Sequence, residues 1–119
     1  MRYVDGFVVA VPEKNLKVYR TIAAKAGKIW KEHGALEYVE ALGDDLDVKF
    51  GLPFSKLAKL KPGETVLFSF IVYKSRADRD KVNATVMSDP RMDKLMKKGP
   101  MPFDVKRMAY GGFKTLVDL

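Results

Sequence analysis

The sequence predicts an α+β fold of order β-α-β-β-α-β around one four-stranded antiparallel sheet. Three observations predict it. The hydrophobic period switches between two residues and about 3.6 in that order along the chain. The helical stretches carry recognisable start and stop residues. The 119 residues suit one domain, spanning 1–119, with no linker, repeat or low-complexity tract to divide it.

Tyr3 to Val11 reads as a strand, rich in β-branched and aromatic residues, and Pro12 ends it. From Asn15 or Leu16 to His33 the period becomes helical. Tyr19, Ile22, Ala23, Ala26, Ile29, Trp30 and His33 form one stripe, with Lys17, Arg20, Lys25, Lys28 and Lys31 opposite. Gly34 stands where a left-handed residue stops a helix. Leu36 to Leu42 is a second strand, closed by Gly43-Asp44-Asp45. In the weakly patterned stretch 44–63, Phe54 to Leu60 suits a short helix and Pro62-Gly63 a turn. Thr65 to Tyr73 is the strongest strand. Ser75 and Asp78 have the spacing of a helix start, so a second long helix runs from Arg76 to Met87. Asp89-Pro90 is an N-cap followed by proline at the first helical position, opening a short helix through Lys97. Gly99 and Pro100 break it, and residues 101–106 form a loop. Arg107 to Leu116 supplies the last strand, where Gly111-Gly112 suggests a bulge or a close backbone approach. This is the split βαβ, or ferredoxin-like, order.

The strand faces carry a second expectation. Tyr3, Asp5, Phe7, Val9 and Val11 alternate with Val4, Gly6, Val8 and Ala10, and Val66, Phe68, Phe70 and Val72 alternate with Leu67, Ser69, Ile71 and Tyr73. Both faces of both strands are mainly apolar, whereas a sheet with helices on one side ordinarily shows water a polar second face. A second copy of the chain, packed sheet to sheet, is the expected cover. A monomer whose segment 44–63 folds across the open face is the alternative.

Composition narrows the chemistry. With no cysteine there is no disulfide, thiolate nucleophile or cysteine-ligated metal, and the single histidine excludes HExxH zinc sites. Neither a cofactor nor a metal is expected. The apolar run Phe7–Val11 is too short to span a membrane and lacks the flanks of a secretory signal, so a cytoplasmic protein without membrane contact is expected. The net charge of +7 arises in residues 51–119, where fourteen basic side chains face seven acidic ones; eight of each cancel in residues 1–50. A solvated lysine surface explains that excess more simply than a nucleic-acid site.

Several segments, in order, carry a family resemblance: Tyr3-Val4-Asp5-Gly6-Phe7, His33-Gly34-Ala35-Leu36, Gly43-Asp44-Asp45, Glu64-Thr65-Val66, Phe68-Ser69, Asp89-Pro90-Arg91-Met92, Met101-Pro102-Phe103-Asp104, Lys106-Arg107-Met108 and Tyr110-Gly111-Gly112-Phe113. The chain resembles the YbaA-like family of uncharacterised bacterial proteins from residue 3 to about 117, with residues 46–60 matching poorly. The resemblance implies a dimeric α/β barrel of ferredoxin-like chains and brings no reaction with it.

Four constellations could carry chemistry. His33, on the inward stripe at the end of the first helix, gains from the helix dipole when protonated and is a candidate acid/base; the plainer role is to bond helical carbonyls or a strand carboxylate. Asp5, in the middle of an apolar strand, is the second catalytic candidate, or else a structural carboxylate that needs a partner if buried; His33, Arg107, Tyr110 and the other subunit are the options. Arg91 and Arg107 could clamp a carboxylate or phosphate, or Arg107 could fix its loop through Asp104 or Asp89. Trp30, Phe68, Phe70, Phe103 and Tyr110 could line an apolar cavity, or simply be core. The leading expectation is a homodimer binding a small organic ligand in an apolar pocket of each subunit, with proton transfer or cofactor-free oxidation as the first enzymatic class to try. The alternatives are an RNA-binding protein using its basic half, and a non-catalytic interaction or regulatory module.

Overall fold

The computed structural model describes residues 1–119. Its elements are β1 (Tyr3–Pro12), α1 (Leu16–Glu32), β2 (Glu37–Leu42), α2 (Phe54–Leu57), β3 (Glu64–Tyr73), α3 (Arg76–Met87), α4 (Pro90–Lys97) and β4 (Ala109–Lys114), with single 3-10 turns at Glu13–Asn15 and Val105–Arg107. The sheet order is β2-β3-β1-β4 and every pairing is antiparallel. β1 and β3 form its centre, in register from Tyr3 opposite Tyr73 to Pro12 opposite Glu64. This is the ferredoxin-like α+β arrangement.

Local chemistry sets the helix ends. α1 stops in a Schellman motif: Gly34 has φ 120°, the Ala35 N–H donates to the Trp30 carbonyl at 3.0 Å and the Gly34 N–H to Lys31 at 3.2 Å. The Ser75 hydroxyl accepts the Asp78 N–H and caps α3, while the Asp89 carboxylate accepts the Arg91 N–H and caps α4, with Pro90 inside the first turn. α2 is one turn shorter than the pattern Phe54–Leu60 suggests. It ends in a second Schellman motif that puts Lys59 at φ 51°, where glycine is usual.

Helices α1, α3 and α4 cover one sheet face, and two apolar clusters fill the layer between. One gathers Ala26, Ile29, Ile71, Tyr73, Val82, Val86 and Met92; the other gathers Val9, Val11, Tyr19, Ala23 and Leu67. Segment 44–60 reaches only one end of the other face, where Leu46 and Val66 both border Gly43 and the Phe54 ring meets Phe68 edge-on at 5.8 Å. The rest stays open. Phe68 is 47% and Phe113 61% exposed, and a shallow groove of about 600 Å³ runs between them over Val4, Gly6 and Val8.

Two details of the last strand differ from the sequence reading. β4 begins at Ala109 rather than Arg107, because Asp104 caps a 3-10 turn that takes in Arg107, whose side chain is bound to Glu64. No bulge forms at Gly111-Gly112: Gly6 faces Gly111 and Asp5 faces Gly112 in unbroken register. The glycines serve close approach instead. A Cβ on Gly112 would lie 2.5 Å from both the Tyr3 hydroxyl and the Arg79 guanidinium.

Candidate functional site

A cavity of about 230 Å³ lies between α1 and the sheet, at the seam of the two apolar clusters. Its origin is local. α1 turns Ala23 and Ala26 toward the sheet, so the helix approaches without filling the layer, and the loop Met101-Pro102-Phe103 closes the far side. Phe7, Tyr19, Trp30, Tyr38, Phe70 and Phe103 supply aromatic walls, and Met96, Met101 and Met108 complete the lining. The Tyr19 and Phe103 rings meet at 5.7 Å, and Trp30 and Tyr38 at 6.3 Å.

One carboxylate breaks this apolar surface. Tyr38, Glu40 and Leu42 share the helix-facing side of β2, where Glu40 lies opposite Ser69 of β3. Glu40 Oε1 accepts the Tyr19 hydroxyl at 2.7 Å and the Ser69 hydroxyl, and Oε2 accepts the Tyr38 hydroxyl at 2.9 Å. Burial first, then the charge of Glu40, raises both phenols above their ordinary value of 10.0, so they remain donors. Gly27 makes room for the arrangement: a Cβ there would lie 2.6 Å from the Tyr38 ring. On its other side Glu40 borders an open groove lined by Leu16, Lys17 and Arg20.

A second polar cluster lies behind Trp30. The indole N–H donates to the Tyr73 hydroxyl at 3.0 Å and to Asn83 Oδ1 at 3.2 Å, and Tyr73 also donates to Asn83 at 3.1 Å. Asp5, 1% exposed, belongs to this network. Burial raises its pKa, while Arg79 opposes the rise. The counter-charge is Arg79, whose Nε is 3.4 Å from Oδ1, although neither atom makes a geometrically sound hydrogen bond. Arg79 also donates to the Tyr3 hydroxyl at 3.1 Å and stacks over that ring at 4.8 Å.

The sequence candidates are therefore dispersed. Of those named, Trp30, Phe70 and Phe103 line the cavity. Phe68 stands on the open face, and Tyr110 stacks on Phe7 at 4.9 Å. His33 Nε2 is 2.8 Å from Asp89, outside the cavity. Asp5 pairs with Arg79, not with His33, Arg107 or Tyr110. The two arginines do not converge. Arg91 binds Asp89 and Glu32, holding Asp89 well below the usual carboxylate range with help from His33. Arg107 grips Glu64 with two bonds of 2.7 and 2.8 Å and donates to the Lys59 carbonyl, so its partner is neither Asp104 nor Asp89. Sequence reasoning missed Glu40 and Ser69. The signal was the inward phase of Tyr38, Glu40 and Leu42, an alternation that puts a carboxylate on the core side.

This fold defines a class, the small ferredoxin-like proteins. Solved structures agree on the fold. A NIPSNAP-family protein of unknown function from Agrobacterium tumefaciens superposes with a TM-score of 0.62 at 14% identity, covering 96% of this chain and 87% of the other. A dimeric ferredoxin-like protein from an uncultured marine organism gives 0.61 at 9% identity, covering 100% and 98%. The chain belongs to the DUF1428 family, described as proteins of unknown function, whose model matches residues 2–105. It is 47% identical over 118 residues to the uncharacterised protein YbaA of Escherichia coli K12, covering 99% of each chain, and equally similar to YbaA of Shigella flexneri. No helix is long and apolar enough to cross a membrane.

Proposed function

We propose that the protein is a homodimer, paired through its open sheet faces, in which each subunit binds one small apolar organic molecule in the cavity beneath α1. The cavity itself carries the reading: about 230 Å³ of aromatic and methionine-lined space ending on a held carboxylate. A dry apolar cavity of about 150 Å³ takes up benzene, so this one suits a single substituted ring. The pairing is supported by the exposed Phe68 and Phe113 and by the solved neighbour described as dimeric. A proton-transfer step on the ligand would use Glu40, because neither His33 nor Asp5 lines the cavity.

Toluene at saturation should raise the melting temperature of the natural protein and leave that of Ala26→Leu, which fills the cavity, unchanged. Equal shifts in both proteins refute the binding reading. Light scattering after size exclusion should give a dimer, and Phe113→Asp a monomer. A monomeric natural protein with salt-sensitive RNA affinity would instead favour the sheet as an aromatic nucleic-acid platform.

A further inference from the structure

We infer that the ligand is an amine: a single aromatic or aliphatic apolar group carrying one protonated nitrogen, which sits against Glu40. The inference rests on the cavity being the binding site and adds what the cavity selects. Three features point the same way.

First, the carboxylate is held by donors alone. Tyr19, Tyr38 and Ser69 give it three hydroxyl hydrogen bonds, and no ion pair neutralises it. A carboxylate accepts about four hydrogen bonds, so lone-pair capacity remains for a ligand N–H. Half-buried beside an apolar wall, Glu40 makes no ion pair, whereas carboxylates drawn out of water ordinarily acquire one.

Second, the walls favour a cation. The faces of aromatic rings attract ammonium groups, most strongly when water is excluded, and Trp30, Tyr19, Tyr38 and Phe7 border the space that Glu40 closes.

Third, the lining contains no lysine, arginine or histidine. Lys17 and Arg20 border only the outer groove. A ligand carboxylate or phosphate would enter without a cationic partner and meet Glu40 at close range. Size bounds the rest: about 230 Å³ admits one ring with a short arm.

The test uses the full-length protein labelled with 13C at its methionine methyls. Met96, Met101 and Met108 line the cavity; Met1 and Met87 are exposed elsewhere and serve as internal controls. The probes are toluene, phenethylamine and phenylacetate, titrated separately at pH 7. Phenethylamine should shift the three cavity methyls with at least tenfold higher affinity than toluene, and phenylacetate should bind more weakly than toluene. Glu40→Gln should abolish the preference for the amine while toluene still binds. Should Glu40→Gln fail to fold, the ranking of the three probes on the natural protein decides alone. Toluene binding without an amine preference, or phenylacetate binding as well as the amine, overturns the inference and leaves the cavity reading standing. No shift of the cavity methyls with any probe overturns both.

Discussion

Replacing Arg79 by methionine leaves the hydrocarbon stem in place and strips Asp5 of its counter-charge. Asp5 is 1% exposed and Arg79 Nε is 3.4 Å from Oδ1. Breaking a fully buried pair by removing one partner costs about 3–5 kcal/mol. The Arg79 side chain is 18% exposed, and its second ion pair, with Asp80, lies at the surface. Neither Oδ1 nor Nε is well bonded, so a loss of about 2 kcal/mol at pH 7 is the expectation. With about 2.1 cal/mol/K of unfolding entropy per residue, 2 kcal/mol lowers the melting temperature by roughly 8 °C. The sign with pH is fixed. Burial already raises Asp5 above 3.8, and losing Arg79 raises it further. The folded variant thus keeps a proton that the unfolded chain has released, and its stability falls as pH climbs above 3.8 toward the raised value. Scanning calorimetry should therefore find the deficit of Arg79→Met larger at pH 7 than at pH 4. The part that persists at pH 4 reports the lost contacts with Tyr3. Asp5→Asn, which removes the buried charge, should cost less than Arg79→Met and should reduce its pH dependence in the double variant. A deficit equal at both pH values, or an Asp5→Asn loss exceeding that of Arg79→Met, refutes the assignment of Arg79 as the group that stabilises Asp5.

Gly27→Ala should destabilise by up to about 2 kcal/mol in urea denaturation. The helix propensity gain of about 1 kcal/mol is outweighed by an overpacking cost of about 1–3 kcal/mol, since the new Cβ would stand 2.6 Å from the Tyr38 ring. Lys59→Gly should stabilise by about 1 kcal/mol, because a lysine at φ 51° occupies a left-handed position; a loss would show that the Lys59 side chain matters more than its backbone. The Arg107 clamp pulls Glu64 from 4.5 down to about 2. Its contribution is therefore complete above pH 4.5 and disappears as pH falls toward 2. Stability measured over that interval should fall less steeply in Glu64→Gln than in the natural protein.

What was readable in the sequence was what local chemistry determines. Ser75, Asp89-Pro90 and Gly34 mark helix ends through bonds to residues two to five positions away, and α3 and α4 begin where those residues stand. The order of elements along the chain and the apolar second face followed from periodicity, which needs no knowledge of partners. The start of β4 was not readable, because it depends on Arg107 finding Glu64 across 43 positions of sequence. The ion pairs failed for the same reason: Asp5 and Arg79 each offer several plausible partners, and only folding chooses among them. Glu40 was passed over in a strand that looked ordinarily polar. Its significance comes from Tyr19 and Ser69, which lie 21 and 29 positions away.

Trp30 is the only tryptophan in the chain. Its ring borders the cavity while its N–H is tied to Tyr73 and Asn83, beside Asp5. The protein thus contains a single intrinsic fluorophore at the boundary between its apolar cavity and its buried charge. Emission intensity responds to what contacts the ring, and emission wavelength responds to the field of the charges behind it. Filling the cavity and titrating Asp5 therefore become two optical signals from one indole, readable without a label.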